Sequence, residues 1–145
     1  MQFVIDASVI GCACRNDYYC SKILDKARQY KICYNKDIFK EYNSVINGND
    51  CKESVYLTSI KEWRTDLINK FGKKTEYAEL EKDCLTKLIK RNKFKDKDTK
   101  YVQIALQCSN KMIISNDYHF IGSGKKCIES MGVEVFDINQ AFDII

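Results

Sequence analysis

Two hydrophobic periods alternate along this chain. Short runs in which nearly every residue is apolar are separated by longer stretches whose apolar residues recur every three or four positions. Residues 2–6 read as a buried strand that enters a turn at Ala7 and Ser8. Residues 19–30 have helical spacing, with Ile23, Leu24 and Ala27 on one side. Lys31–Tyr34 is a second strand, after which Asn35 can cap a helix over residues 36–47 that Gly48 stops. Tyr56, Ile60, Trp63, Leu67 and Phe71 keep helical spacing, as do Tyr77, Leu80, Cys84, Leu88 and Ile89 beyond a break at residues 71–75. Together they predict a helical hairpin over residues 52–91. A basic connector over residues 90–97 leads to a helix from Asp98, with Val102, Ala105 and Leu106 inward. Residues 111–115 and 133–136 read as strands around a short helix at residues 124–131. Strands that alternate with helices predict an α/β fold: a three-layer α/β/α sandwich around a mostly parallel sheet.

At 145 residues, without proline and with only six glycines, the chain shows no linker, and residues 1–145 are expected to form a single domain. A chain of this size buries about 68–70% of the surface its unfolded form exposes, enough to fold without disulfides. Several of the eight cysteines, Cys33, Cys84 and Cys108, sit in apolar-periodic segments and read as small hydrophobes, which predicts free thiols in a reducing compartment. No CxxC pair offers the spacing of a zinc site. The start of the chain enters a strand at once, without the pattern of a signal peptide, and no apolar run approaches the ~18 residues of a membrane span. These features point to a cytoplasmic protein without a membrane partner. Net charge changes the picture more. Residues 61–100 hold 13 Lys and Arg against 8 Asp and Glu, while the rest of the chain holds 11 against 12. The positive balance is confined to the middle of the chain, as on a surface for a polyanion.

In parallel sheets, chemistry gathers beyond the carboxyl ends of the strands. Asp6 closes the first strand and Asp117 lies just past Met112-Ile113-Ile114-Ser115-Asn116. Glu41 falls about 40° from Val45, on the edge of a stripe made by Ile38, Tyr42, Val45 and Ile46. Burying it there calls for a cation or a base as partner. Asp98 opens a helix, with Asp96 as a competitor for the same role. Each acid alone also suits a helix cap, a turn or a salt bridge. Gathered on one rim they repel, by about 4 kcal/mol per pair at 4 Å and an effective dielectric of ~20. Mg²⁺ or Mn²⁺ removes that strain. His119, the only histidine, reads as a surface residue.

The ordered set resembles the PIN-domain nucleases. The resemblance rests on Phe3-Val4-Ile5-Asp6-Ala7-Ser8, on Glu41 after the second strand, on Asp98 seven residues before Ala105, and on Ile113-Ile114-Ser115-Asn116-Asp117. It implies a divalent-metal-dependent ribonuclease whose catalytic and metal-binding acids are Asp6, Glu41, Asp98 and Asp117, with Ser8, Ser115 and Asn116 in support. It also implies a toxin of a toxin–antitoxin pair, an antitoxin-like protein partner and a homodimer. Lys90, Arg91, Lys93 and Lys95 are expected to draw RNA toward the acids, with Phe94 free to stack on a base. The alternative is a catalytically inactive PIN-like module that binds RNA or protein. A phosphotransfer domain also places an Asp after its first strand. The haloacid dehalogenase type wants a second acid where Ser8 stands, and a receiver wants an acidic pair that Gln2-Phe3-Val4-Ile5 does not offer.

Overall fold

The computed structural model of this chain describes residues 1–91 and 96–145, without the side chains of residues 91, 96 and 97. Its centre is β1 (Gln2–Ile5), where Phe3, Val4 and Ile5 expose no surface. A strand buried on both faces has to be apolar at every position, which is why the run does not alternate. Around it lie β2 (Lys31–Tyr34), β3 (Gly72–Lys74), β4 (Met112–Ile114) and β5 (Glu134–Phe136), in the order β3-β2-β1-β4-β5. All four pairings are parallel. The register sets Val4 beside Ile113 and Ile5 beside Ile114, and the Asp6 amide continues the ladder to the Ile114 carbonyl at 2.9 Å.

Helices cover both faces, giving the three-layer α/β/α sandwich. α1 (Ala7–Cys14), α2 (Tyr18–Ala27), α3 (Lys36–Ile46) and α5 (Leu57–Asp66) pack on one another, and α4 (Asn49–Lys52) joins α1 and α3. α6 (Lys82–Thr86) precedes α7 (Asp96–Ala105), which packs on β1, β2 and β4. α8 (Lys125–Ser130) packs on β5, and α9 (Ile138–Ile144) closes against α2.

Four features depart from the sequence reading. Ala7 and Ser8 start a helix instead of a turn; seven of the eight residues of α1 are buried, so no polar face marks it. The stretch over residues 52–91 is not a continuous helical hairpin. Its expected break holds β3, an edge strand of glycine and lysine that pairs with β2 and carries no apolar alternation. α9 follows the last strand, opened by a capping box between Asp137 and Gln140. Finally, the fold joins Cys12 to Cys20, Cys14 to Cys51 and Cys33 to Cys108 as disulfides, with Cα separations of 5.9, 4.4 and 6.6 Å. These pairings replace the expected thiols. The partners lie 8, 37 and 75 residues apart, and only the tertiary fold brings the last two pairs together. The cysteines therefore give no argument for a reducing compartment.

Candidate active site at the carboxyl end of the sheet

Chain direction across the sheet reverses between β1 and β4: β2 and β3 extend to one side of β1, β4 and β5 to the other. The crevice at such a switch point, beyond the carboxyl ends of the strands, is where α/β folds build sites. Asp6 and Ser115 leave β1 and β4 side by side there. Asp6 is 4% exposed and Ser115 is fully buried. One Asp6 oxygen, Oδ2, accepts from Ser8 Oγ at 2.6 Å and from Ser115 Oγ at 2.8 Å. Asp6 stands at the N-cap of α1, yet its carboxylate makes no capping bond. Helix capping therefore does not explain this acid. Burial, the largest effect, pushes its pKa up to about 6, against the two serine hydrogen bonds; the charges of Asp117 and Glu41 push the same way as burial.

The serines link the two strand ends further. Ser8 Oγ accepts from the Asn116 amide at 2.9 Å, and Ser115 Oγ accepts from the Asp117 amide at 3.0 Å. Asn116 thus supports the site through its backbone. Asp117 Oδ1 accepts from the His119 amide at 2.9 Å, an Asx turn that opens the π-helical turn His119–Ser123. The His119 ring lies with Nδ1 3.4 Å from the same oxygen.

Glu41 arrives from α3, where Asn35 caps the helix through the Ile38 amide and Ile38, Tyr42 and Ile46 are buried. Both of its oxygens are engaged: Oε2 with Lys100 Nζ at 2.5 Å, Oε1 with the Tyr101 hydroxyl at 3.0 Å. The expected partner for a glutamate on this stripe edge is therefore a base, Lys100, only 9% exposed. The Tyr101 hydroxyl also accepts from the Ala7 amide at 3.3 Å, tying α7 to the start of α1. The Tyr42 hydroxyl donates to the Ile5 carbonyl. Burial first, then the negative charges of Asp6 and Glu41, hold the Tyr42 phenol well above its usual range. Tyr101 is raised by burial, then by Asp6, Tyr42 and Glu41. Both phenols therefore stay protonated and act as hydrogen-bond donors.

Asp98 is buried in the first turn of α7. The helix begins at Asp96, two residues earlier than expected. Lys90 is exposed. The Arg91 side chain, Lys93, Phe94 and Lys95 lie outside the described residues. Lys100, Tyr101 and Tyr42 are the site residues the sequence reading missed. A helical stripe through Tyr101, Ala105 and Cys108 could have revealed Tyr101, whereas nothing local marks Lys100.

The donor chemistry suits a hard cation, because every candidate ligand is an oxygen. Among the described residues, no three of the four acids bring their oxygens within 4.8 Å of one another. Cys12, Asp17 and Cys20 do converge so closely, but their sulfurs are joined in a disulfide. The four acids are thus not drawn together into a closed carboxylate cage among the described residues. Compared with known proteins, the chain matches no family model, no curated protein and no solved structure.

Proposed function

We propose that this protein is a PIN-like ribonuclease that hydrolyses RNA phosphodiester bonds with Mg²⁺ or Mn²⁺. The observation that carries the reading is Asp6. A carboxylate sits buried at the switch point of the sheet, is not used as a helix cap, and is destabilised as an anion by two further acids. A bound cation reverses that penalty. When bound, Mg²⁺ or Mn²⁺ supplies Lewis acidity toward a phosphate oxygen and a more acidic water. Asp6 and Asp117 would hold it, with Asp98 as the third acid from α7. Ser8 and Ser115 fix Asp6 by holding one of its oxygens. Glu41 sets the Lys100 ammonium and the Tyr101 hydroxyl in place beside the rim. The amino end of α7 adds a partial positive charge where phosphate would lie.

The test pairs binding with cleavage. Mn²⁺ should raise the melting temperature of the wild-type chain by mass action and should support cleavage of mixed RNA. Both effects should be lost in the double variant Asp6→Asn, Asp117→Asn. An equal thermal shift in that variant places the ion elsewhere.

The Lys100–Glu41 pair favours a second reading, a PIN-like module that binds RNA or protein without cutting, since it already neutralises one of the four acids. RNA binding without Mn²⁺- or Mg²⁺-dependent cleavage decides for it. Among the described residues no helix is long and apolar enough to cross a membrane. A cytoplasmic location, a toxin role, an antitoxin-like partner and a homodimer are further proposals, and the last three rest on the resemblance alone. Expression of the chain with and without the product of an adjoining small reading frame tests the toxin role: growth should stop with the chain alone and resume with both.

A further inference from the structure

A groove of about 820 Å³ opens between α3, α7 and the segment that runs into α6, and the Glu41–Lys100 pair forms part of its wall. Its volume lies within the ~300–1,000 Å³ typical of small-ligand sites, and it shares Glu41 with the candidate active site. We infer that this groove is a subsite for one unpaired nucleotide of the RNA strand, next to the phosphate that is cut. The inference rests on the ribonuclease reading above.

Three features of the wall carry it. The first is Tyr77, 39% exposed, whose hydroxyl donates to Asp37 Oδ2 at 2.7 Å. That bond restrains an exposed ring at the groove, and partly buried Leu85 lines the groove with it. A restrained ring loses little entropy when a base stacks on it. The second is charge. Lys40 is exposed on the same wall, and Lys100 presents an ammonium with three donors, of which the Glu41 Oε2 bond uses one. Asp37 and Glu41 are the acids of the lining, and each is engaged, by Tyr77 and by Lys100. The third is the presence of Ser44 on the α3 wall and Gln103 on the α7 wall, which add polar edges beside the apolar lining of Val45, Tyr77 and Leu85. An aromatic face can stack only on a base that has left its own stack, so the groove selects single strands over duplexes.

The experiment uses the full chain, a fluorescent single-stranded RNA oligonucleotide and the same sequence as a duplex, all in EDTA so that binding is read without cleavage. Anisotropy should show the single strand binding about tenfold tighter than the duplex. Tyr77→Ala should weaken single-strand binding about tenfold, and Tyr77→Phe, which keeps the ring, should stay within about threefold of wild type. A 4-thiouridine oligonucleotide should photocrosslink within residues 77–85. Equal affinity for strand and duplex, or an unchanged Tyr77→Ala with crosslinks elsewhere, overturns the subsite even if Mn²⁺ supports cleavage. Crosslinks at Tyr77 without any Mn²⁺- or Mg²⁺-dependent cleavage keep the subsite and overturn the ribonuclease reading. No binding of either RNA in EDTA overturns the subsite, and cleavage in Mn²⁺ decides the ribonuclease reading separately.

Discussion

At the scale of single residues, Asp6 resists becoming an anion, and the sign of that effect sets how the metal-free protein responds to pH. Its carboxyl titrates at about 6 in the fold against 3.8 in a model compound. Between those values the unfolded chain has released its proton while the folded chain keeps it. Stability therefore falls as pH rises through that window and levels off above it. The loss at neutral pH is on the order of 3 kcal/mol. Asp6→Asn removes the titration while its amide oxygen can still accept from Ser8 and Ser115. In EDTA the variant should melt higher than wild type at neutral pH, and the two curves should converge near about pH 4. Thermal melts across that range check this; parallel curves throughout show that Asp6 is not where the charge is stored. A second residue-scale prediction separates two neighbouring acids. Asp98 is buried in the first turn of α7, one residue before Thr99 and two before Lys100. Asp98→Asn should lower Mn²⁺-dependent cleavage by at least about 100-fold, the scale of lost electrostatic stabilisation, and Asp96→Asn should change it far less. The reverse ranking moves the third acid by two positions.

At the scale of elements, β3 shows how a strand can form without a hydrophobic signal. Gly72 follows directly on the π-helical turn Leu67–Phe71. A Cβ at Gly72 would lie 2.0 Å from the Leu67 carbonyl oxygen and 2.6 Å from the Tyr34 ring. Only glycine lets the chain turn so closely back beside β2. Gly72→Ala should therefore displace β3 and destabilise the fold by about 1–3 kcal/mol, as overpacking does. Urea unfolding measures it, and a wild-type midpoint refutes the steric account. The same element explains what was legible beforehand. β1 and β4 announce themselves because a strand buried on both faces must be apolar throughout, and β2 and β5 carry apolar residues behind an exposed Lys31 and Glu134, so Asp6 and Asp117 could be placed at strand ends by position alone. Glu41 could be set on a stripe edge because α3 keeps a clean helical period. β3 could not be read, since its sequence is Gly-Lys-Lys. α1 could not, since it is apolar on every side. Lys100 could not be matched to Glu41, and Cys33 could not be matched to Cys108, because both partnerships cross between elements far apart in sequence. α9 was legible in principle, through Asp137 and Gln140.

At the scale of the whole molecule, the arrangement of charge poses a problem that RNA would have to overcome. The candidate site holds acids, and a phosphate chain approaching acids is repelled unless cations lie on its path. Residues 87–100 carry seven Lys and Arg against two acids, and they run from the exposed Lys87 to the buried Lys100 beside the site. The structure fixes both ends of this run: the π-helical turn Lys87–Arg91 at one, and at the other α7, which rests on β1 and β4. Only the α7 end of this basic run is seen at the site, through Lys100. Each cation that neutralises a phosphate of a single strand contributes about −0.7 to the slope of log affinity against log salt. Replacing Lys90, Arg91 and Lys93 together by Ser should weaken RNA binding at low salt and flatten that slope by up to about 2. Turnover at saturating RNA should change little, because cations that only draw the strand in do not touch the scissile bond. Anisotropy titrations over a series of salt concentrations give the slope, and single-turnover cleavage gives the rate. Parental affinity and slope in the triple variant would show a solvated connector that RNA does not touch. A rate loss without a change in slope would instead put one of the three residues at the scissile phosphate, beside Lys100.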